Sequence, residues 1–456
     1  MKTPLSILFA FTLGTQMILA QDNIPNVREI RISANDETNP CITAAEYKAL
    51  MKECDENAQK LGLKVNKSPS AITLCDWPLR TKAGFNDCNY YVILNYVDQD
   101  ATSGIKDYHC GSTTYNGHSG TDIGIEPYPF YKMDNDMVEV IAAAPGTIIS
   151  KADGNFDKNC AVSGATANSI VIQHADGSRA LYWHMKMNSL TVKVVGQTVV
   201  TGEFLGRVGS SGSSTVPHLH FEVWASNTFS SLNDPFAGSC NALNASTWWL
   251  AQKPYKDPTV MKVQVNHIAP VLPACPTTET PNEDSCFTGG GTARFYVWVR
   301  DDTTGRIANM RIINPSRTTF SSWTQTSSTT FNLALYNQTH TLPAVAGTYV
   351  FEAVYNGDTC RRNFMINCGT TGITESDGEF QFNIFPNPAG DKVNIAFSQE
   401  QLPTIASLFD ASGKLVFRKN ILAAEEIDLS GLTSGIYMMT VFDGERLGKK
   451  KLVVQK

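Results

Sequence analysis

The sequence carries few charges, and they are not concentrated anywhere along it. Asp, Glu, Lys and Arg make up 18% of the 456 residues, and the formal net charge is −6. No basic stripe of the kind that follows nucleic-acid phosphates is present, so no nucleic-acid partner is expected. After the N-terminus no apolar run reaches the roughly 20 residues that a membrane helix needs. These absences argue against nucleic-acid-binding proteins and against membrane-spanning ones.

The eleven cysteines include no CxxC pair, so a cysteine zinc cluster is not expected. Their number is typical of disulfide bonds in an oxidising compartment. Short separations make four local bridges possible, although connectivity cannot be read from sequence. These pairs are Cys41/Cys54, Cys75/Cys88, Cys275/Cys286 and Cys360/Cys368. The odd count leaves at least one thiol unpaired, or paired outside the chain.

The first 20 residues have the pattern of a secretory signal peptide. Lys2 is followed by an apolar run from Leu5 to about Leu13, and the stretch closes on the small residue Ala20. Cleavage is predicted between Ala20 and Gln21. Polar and small residues from Thr12 onward interrupt the run, which disfavours a membrane anchor. We therefore expect a secreted or cell-surface protein exported through the periplasm.

The length suggests roughly three domains. Thr43 to Lys60 has apolar residues at helical spacing, whereas most of the remaining chain alternates in short strands between Gly, Asn and Asp turns. We predict a mainly β protein with a short helical N-terminal segment and two C-terminal β-sandwich-like modules. The predicted parts are a signal peptide (1–20), an N-terminal segment and possible propeptide (21–72), a β-sheet domain (73–254), a linker (255–275), an Ig-like module (276–368), a linker (369–378) and a C-terminal domain (379–456).

The stretch VPHLHFEVW holds two histidines one residue apart in what reads as a buried strand. Successive side chains of a strand point to opposite faces, so His218 and His220 share one face. Leu219, Phe221 and Val223 are then expected to face the core. Packing of a sheet gives no reason for two adjacent imidazoles, so a metal-binding or catalytic role is predicted.

Two further segments contain side chains that can bind a metal or transfer a proton. In YNGHSGTDIG, glycines surround His118 and Asp122 and allow both side chains to converge, although a plain turn is the alternative. Imidazole and carboxylate groups are zinc ligands, and a catalytic zinc takes three protein ligands. In ALYWHMK, strand alternation predicts that His184 and Tyr182 face one way. A histidine beside a zinc site can carry a proton near neutral pH.

The segments GHSGTDIG, YWHM and PHLHFEVW, in this order, resemble the lysostaphin-type (LytM-like) zinc metalloendopeptidases. The resemblance covers about Cys75 to Trp249 and implies an antiparallel β-sheet metallopeptidase domain with a groove across the sheet. It implies Zn²⁺ as cofactor. By this resemblance, His118, Asp122 and His220 are metal ligands and His184 and His218 are catalytic. An upstream tyrosine that stabilises the oxyanion corresponds to Tyr115 or Tyr108, and the choice stays open.

The implied activity is hydrolysis of peptide bonds, most of all peptidoglycan cross-links, by a zinc-activated water with two catalytic histidines. Two alternatives stay open. One is a general or host-protein-directed secreted protease with the same chemistry. The other is a non-catalytic cell-wall-binding or regulatory protein, which the complete set of ligand positions disfavours.

The last 75 or so residues resemble the C-terminal sorting domain of the type IX secretion system. The segments that carry the likeness are FNIFPNPAGDKVNI, SLFDASGKLVF, IDLSGLTSGIYMMTV and the basic LGKKKLVVQK. The resemblance implies the type IX secretion machinery as a partner and export across an outer membrane. A generic Ig-like β module is the alternative.

Overall fold

The computed structural model describes residues 27–29, 42–63, 73–162, 164–226, 231–272, 278–368, 382–397, 404–411, 413–421, 425–442 and 447–456. The predicted signal peptide lies outside these residues. The chain divides into two compact units, residues 1–368 and 369–456. Within the described residues, no helix combines the length and the apolar character that crossing a membrane requires.

The elements of the first unit follow in chain order: β1 (Val27–Glu29), α1 (Ala44–Lys60), β2 (Leu79–Thr81), β3 (Val92–Asn95), β4 (Thr121–Gly124), α2 (Pro129–Asp134), β5 (Val138–Ile141), β6 (Gly146–Ala152), β7 (Ser169–Gln173), β8 (Arg179–Trp183), β9 (Thr198–Val199), β10 (Phe204–Arg207), β11 (His218–Trp224), β12 (Leu232–Asn233), β13 (Thr259–Asn266), β14 (Cys286–Phe287), β15 (Thr292–Asp302), β16 (Ile307–Ile313), β17 (Thr319–Thr326), β18 (Phe331–Thr341), β19 (Gly347–Tyr355) and β20 (Asp358–Ile366). The predicted mainly β class is confirmed.

The largest sheet has eight antiparallel strands in the order β3-β4-β11-β8-β7-β6-β9, with β12 paired to the end of β11. One face of this sheet packs against the three-stranded sheet β10-β5-β2. Ile170, Leu219 and Phe221 lie in that interface with Val140 and Leu205, all fully buried. Because this face is filled by apolar side chains, polar groups of the same strands point to the opposite face.

The predicted N-terminal helix is present as α1. Thr43 caps it, accepting a hydrogen bond from the Glu46 amide while the Glu46 carboxylate accepts from the Thr43 amide. Gly62, with a φ of +65°, follows its C-terminus. One side of α1 is buried against the large sheet, on the face opposite to Leu219 and Phe221. The packed residues are Tyr47, Leu50 and Cys54 of the helix and Val171, Leu181, Trp183 and Trp224 of the sheet.

The strands between residues 286 and 366, together with β1 and β13, form two sheets that share one apolar core, as predicted for a β-sandwich. The first sheet has the order β1-β18-β15-β13 and the second β14-β20-β19-β16-β17. Residues 255–275 were expected to be a linker, but eight of them form a strand of the first sheet. This strand is β13 (Thr259–Asn266), which is buried along its whole length and pairs with β15. Prolines on both sides of TVMKVQVN hid this strand in the sequence.

This sandwich packs directly against the large sheet. Val92 and Leu94 of β3 form an apolar cluster with Met261, Trp298 and Leu335. Since β3 pairs with β4 and Val92 lies opposite Gly124, these contacts fall on the same face of the sheet as α1. The polar face is therefore bounded by α1 at one side and by the sandwich at the other.

The disulfide bonds are long-range, so the local pairs suggested by sequence distance are wrong. The bridges are Cys88–Cys360, Cys110–Cys240 and Cys286–Cys368, and Cys160 is also disulfide-bonded. Cys54 and Cys75 are free and buried, and burial raises the pKa of each thiol to about 12. The tertiary fold brings distant cysteines together, and sequence separation does not report that.

The second unit is a smaller sandwich. Its strands are β21 (Phe382–Phe385), β22 (Lys392–Phe397), β23 (Thr404–Phe409), β24 (Leu415–Ile421), β25 (Glu425–Asp428), β26 (Gly435–Phe442) and β27 (Leu447–Val454). They form the sheets β21-β22-β25 and β24-β23-β26-β27, which share a core that includes Val393, Leu408 and Met439. The second predicted C-terminal β-sandwich-like module is therefore present.

Candidate metal centre and catalytic residues

The two histidines of β11 lie near the middle of the large sheet. Backbone pairing places His220 opposite Asp122 of β4. Strand alternation directs His218 and His220 to the polar face, whereas Leu219 and Phe221 are buried in the core on the other side. The register of β4 and β11 therefore brings a carboxylate beside an imidazole from 98 residues away.

His118, three residues before β4, completes a cluster with Asp122 and His220. His118 Nε2 lies 3.1 Å from Asp122 Oδ2 and 3.2 Å from His220 Nδ1, and His220 Nδ1 lies 2.8 Å from Asp122 Oδ1. One ligand atom from each residue lies within 4.8 Å of the other two. All three side chains are fully buried. The structure thus brings together the three residues that the sequence resemblance designates as metal ligands.

The hydrogen bonds around this cluster leave lone pairs pointing inward. His118 Nδ1 donates to the Tyr96 carbonyl at 2.7 Å, so in the neutral imidazole Nε2 is the nitrogen that carries the lone pair. With a proton on Nε2, His220 donates to Glu222 Oε1 at 2.7 Å, and its Nδ1 carries a lone pair toward Asp122. Two imidazole nitrogens and a carboxylate then converge as electron-pair donors. This is a donor set that a divalent cation satisfies, and it fits zinc.

Glycine is required in the loop before β4 because the His220 ring lies against it. A Cβ placed on Gly120 would be 2.6 Å from both Cε1 and Nε2 of His220 and 2.9 Å from the Phe221 carbonyl oxygen. Gly117, earlier in the same loop, has a φ of +76° and open space around it. The two glycines therefore serve different purposes: close approach at residue 120, and backbone conformation at residue 117.

His184 and His218 form a second pair beside the cluster. Their ring centroids are 4.6 Å apart, and that of His184 is 5.9 Å from that of His220. His184 Nδ1 donates to the Ser211 carbonyl at 2.6 Å and His218 Nδ1 donates to the Val216 carbonyl at 2.7 Å. Among the described residues neither Nε2 atom has a hydrogen-bond partner. Each of these histidines thus directs its Nε2 into the site, from where a general base can accept a proton, and that of His218 lies 3.5 Å from Asp122 Oδ1.

The strand alternation expected for ALYWHMK is wrong at its last step. Tyr182 pairs with Phe221 and packs in the core, and Trp183 pairs with His220 on the polar face. His184 follows the end of β8 with a φ of +66°, a left-handed conformation that costs roughly 1–2 kcal/mol for a residue other than glycine. This turn breaks the alternation and places the His184 ring beside His218, on the polar face with Trp183. Strain of this kind is typical of functional positions.

The two tyrosines considered for oxyanion stabilisation lie in different surroundings. The Tyr115 ring is 4.5 Å from that of His118 and is buried next to the cluster. Tyr108 lies in the core, with its ring 5.0 Å from Phe236 and 4.9 Å from Tyr96, and burial raises the pKa of its hydroxyl. Of the two candidates, Tyr115 is the one that contacts a residue of the cluster.

Two hydrogen bonds to carboxylates of the site were not predicted from the sequence. Asn95 of β3 donates to Asp122 Oδ2 at 3.0 Å. Glu222 accepts from His220, and it lies two residues after His220 on the same strand. The same alternation that links His218 to His220 places Glu222 on their face, so that signal was available in the sequence. Asn95 gave no such signal, because its position depends on the pairing of β3 with β4.

Burial and neighbouring charges perturb the site. Burial on its own would raise the pKa of Asp122, but the nearby imidazoles of His118 and His218 hold it well below its usual value. Burial, together with the nearness of His218 and His220, holds the pKa of His184 well below its usual range. Asp122 is thus a carboxylate and His184 a neutral imidazole near pH 7. Those are the protonation states that a metal ligand and a general base require.

Two parts of the chain match known protein families. Residues 117–232 match the model of peptidase family M23, and residues 383–455 match that of the secretion system C-terminal sorting domain. The first range contains the metal-ligand candidates and both catalytic candidates. The second covers most of the smaller unit.

Curated relatives share only a short segment with this chain. It is 33% identical over 75 residues to an uncharacterized metalloprotease of Haemophilus influenzae, covering 16% of this chain and 15% of the relative. It is 32% identical over 89 residues to the cell division protein DipM of Caulobacter vibrioides, and this match covers 20% of this chain and 14% of the relative. It is 44% identical over 60 residues to the DD-carboxypeptidase/endopeptidase Mpg of Neisseria meningitidis, covering 13% of each. The matches thus span 13–15% of the relatives' own length.

Similar solved structures include the catalytic domain of the antimicrobial peptidase lysostaphin from Staphylococcus simulans. It has 26% identity and a TM-score of 0.20, and the alignment covers 31% of this chain and 85% of that one. A zinc containing peptidase from Vibrio cholerae has 20% identity and a TM-score of 0.22. The alignment covers 39% of this chain and 41% of that one. The two family matches confirm both resemblances seen in the sequence. The chain contains a peptidase family M23 domain, matched at residues 117–232, and a secretion system C-terminal sorting domain, matched at residues 383–455.

Proposed function

We propose that this protein is an exported zinc-dependent endopeptidase that hydrolyses peptide cross-links of peptidoglycan. The observation that carries the proposal is the convergence of His118 Nε2, His220 Nδ1 and the Asp122 carboxylate, with the Nε2 atoms of two further histidines beside them. Three protein ligands of nitrogen and oxygen type are typical of a catalytic zinc, which keeps a position open for water or substrate.

Each side chain has a proposed role. His118, Asp122 and His220 would hold Zn²⁺, which supplies Lewis-acid chemistry toward a water and the scissile carbonyl. His184 and His218 keep a proton on Nδ1 through their bonds to backbone carbonyls, so Nε2 is the atom that exchanges protons. One of these two atoms accepts the proton of the attacking water. That proton is then delivered to the leaving amine, and the other histidine, in its protonated form, donates a hydrogen bond to the developing oxyanion.

Tyr115 is the proposed additional donor to the oxyanion, because its ring lies beside His118. The backbone carbonyls of Ser211 and Val216 belong to the loop that leads into β11 and keep both catalytic rings oriented. This loop is the Gly/Ser-rich segment VGSSGSSTVPH. We infer that it forms one wall of the substrate groove.

The substrate class rests on the relatives. A DD-carboxypeptidase/endopeptidase of Neisseria meningitidis is 44% identical to this chain over 60 residues. The sorting domain supports secretion or surface attachment, with the type IX secretion machinery as the partner. We further propose that residues 73–254 are the catalytic domain, that residues 276–368 are an accessory module and that residues 379–456 direct export.

The test is digestion of purified peptidoglycan by the full-length protein, with mass analysis of the released fragments. A zinc chelator or the substitution His220→Ala is expected to abolish release, and added zinc restores the chelated enzyme only. Cleavage that survives both treatments would refute the proposed chemistry. Digestion of casein but not of peptidoglycan would show a general protease instead, and zinc binding without any hydrolysis would show a non-catalytic binding protein.

A further inference from the structure

We propose that Glu222 is a positioning residue for His220 and that Tyr47 of α1 holds Glu222 in place. Helix α1 is then part of the metal centre and not a removable propeptide. This inference rests on the proposed zinc site formed by His118, Asp122 and His220.

The Glu222 side chain is buried, with 1% of the residue exposed, and four hydrogen-bond donors surround its carboxyl group. Its Oε1 accepts from His220 Nε2 at 2.7 Å, from Ser119 Oγ at 2.7 Å and from the Tyr47 hydroxyl. Its Oε2 accepts from Trp224 Nε1 at 2.9 Å. A buried polar group is tolerated only when it is hydrogen-bonded, so these donors determine where the Glu222 side chain lies.

The hydrogen bond from His220 Nε2 to Glu222 determines which nitrogen of His220 is available to bind a metal. A proton held on Nε2 leaves the lone pair on Nδ1, which lies 2.8 Å from Asp122 Oδ1 and 3.2 Å from His118 Nε2. A carboxylate that accepts the second N–H of a metal-binding histidine orients the ring and increases its basicity. Glu222 is placed to do both for His220.

Helix α1 reaches this carboxylate through the first turn after its cap. The Tyr47 hydroxyl contacts both Ser119 and Glu222, and its ring centroid lies 6.3 Å from that of Trp224. Further along the helix, Asp55 forms an ion pair with buried Arg179 at 2.7 Å. Tyr47 therefore reaches His220 through Glu222, on the Nε2 side of the ring and not on the Nδ1 side that faces Asp122. A blocking propeptide is instead expected to contact the catalytic Nε2 atoms.

The apolar packing of α1 supports the same conclusion. Leu50 and Cys54 are buried with Leu181 and Trp224 in one cluster. Asn57 donates to the Ile149 carbonyl at 2.8 Å. Removing the helix would expose that cluster and leave Glu222 without one of its donors, which is the behaviour of a structural element of the domain.

The experiment measures the zinc dissociation constant of the full-length protein by competition with a chromogenic chelator, with thermal unfolding followed in parallel. Glu222→Gln keeps the shape of the side chain and is expected to weaken zinc binding about 10–100-fold. Tyr47→Phe removes one donor to the carboxylate, keeps the ring and is expected to weaken binding about 10-fold. Tyr349→Phe is the matched control, since its hydroxyl donates at 3.0 Å to the Val345 carbonyl, in the core of the sandwich that does not include α1 or the cluster. Its zinc affinity should equal that of the wild type.

Unchanged zinc affinity in both Glu222→Gln and Tyr47→Phe, with folded proteins, would overturn the inference. Unchanged affinity together with a gain of hydrolytic rate in Tyr47→Phe would overturn it too, because the helix would then act as a block. A wild-type protein that binds no zinc would refute the proposed function itself. That outcome is distinguishable, because it does not depend on either variant.

Discussion

Gly120→Ala adds one methyl group at the point where the loop before β4 touches the metal centre. The new Cβ would lie 2.6 Å from Cε1 and Nε2 of His220, and 2.9 Å from the Phe221 carbonyl oxygen. Phe221 pairs with Thr121 on one side and with Tyr182 on the other, so its backbone cannot retreat. Carbon contacts settle near 3.5 Å, so the His220 ring must move by about 1 Å.

A displacement of about 1 Å at a catalytic site costs about 100-fold in rate. Overpacking itself costs about 1–3 kcal/mol of stability. We therefore expect Gly120→Ala to fold with a lower Tm, to bind zinc at least about 10-fold more weakly and to lose about 100-fold in peptidoglycan hydrolysis. The assays are chelator competition for zinc, thermal unfolding, and product release from purified peptidoglycan.

Gly117→Ala is the matched control in the same loop. Its φ of +76° makes alanine unfavourable by roughly 1–2 kcal/mol, but a Cβ there meets no atom within 4 Å. Its Tm should fall while zinc affinity per folded molecule is retained. If Gly120→Ala binds zinc and hydrolyses substrate like the wild type, the reasoning about the position of His220 is refuted.

Three further predictions concern the catalytic pair, the longest disulfide and one buried carboxyl group. His220→Ala should lose zinc, whereas His218→Ala should keep zinc and lose about 10²–10⁴-fold in rate; equal zinc loss in both would contradict the division of roles. Replacing Cys88 and Cys360 together by serine should lower the unfolding free energy by about 2–4 kcal/mol in denaturant titration, and an unchanged midpoint would count against it. Burial raises the pKa of Glu126 to about 8, above its unfolded value, so its contribution to stability is present below about pH 4.5 and is lost as the pH rises toward 8. Glu126→Gln should remove a slope of up to about 1.4 kcal/mol per pH unit in this window, and identical wild-type and variant profiles would disprove the assignment.

Much of the site could be read from local patterns, because alternation along one strand and the spacing of a short motif are local properties. The sharing of one face by His218 and His220 follows from the strand period, and Glu222 follows from it in the same way. The helix from Ala44 to Lys60 is signalled by its capping box and its apolar spacing. The ligand roles of His118 and Asp122 followed from the family resemblance of their motif.

What depended on pairing between distant strands could not be read in this way. The partner of Cys88 lies 272 residues away, and β13 lies between prolines in a segment that looked like a linker. His184 was assigned to a face by alternation, but its left-handed backbone reverses that assignment. The contact of Tyr47 with Glu222 needs α1 docked on the polar face of the sheet.

The sequence by itself determined the class of the fold, the segments that bear the chemistry and the kinds of ligand they offer. Those features depend on side-chain type and on the two-residue period of a strand. Only the tertiary structure decided which donors meet at His118, Asp122 and His220, which nitrogen of each imidazole is left free, and that α1 and the sandwich bound the polar face. These features depend on strand register and long-range packing, in which a shift of one residue would turn every side chain to the opposite face.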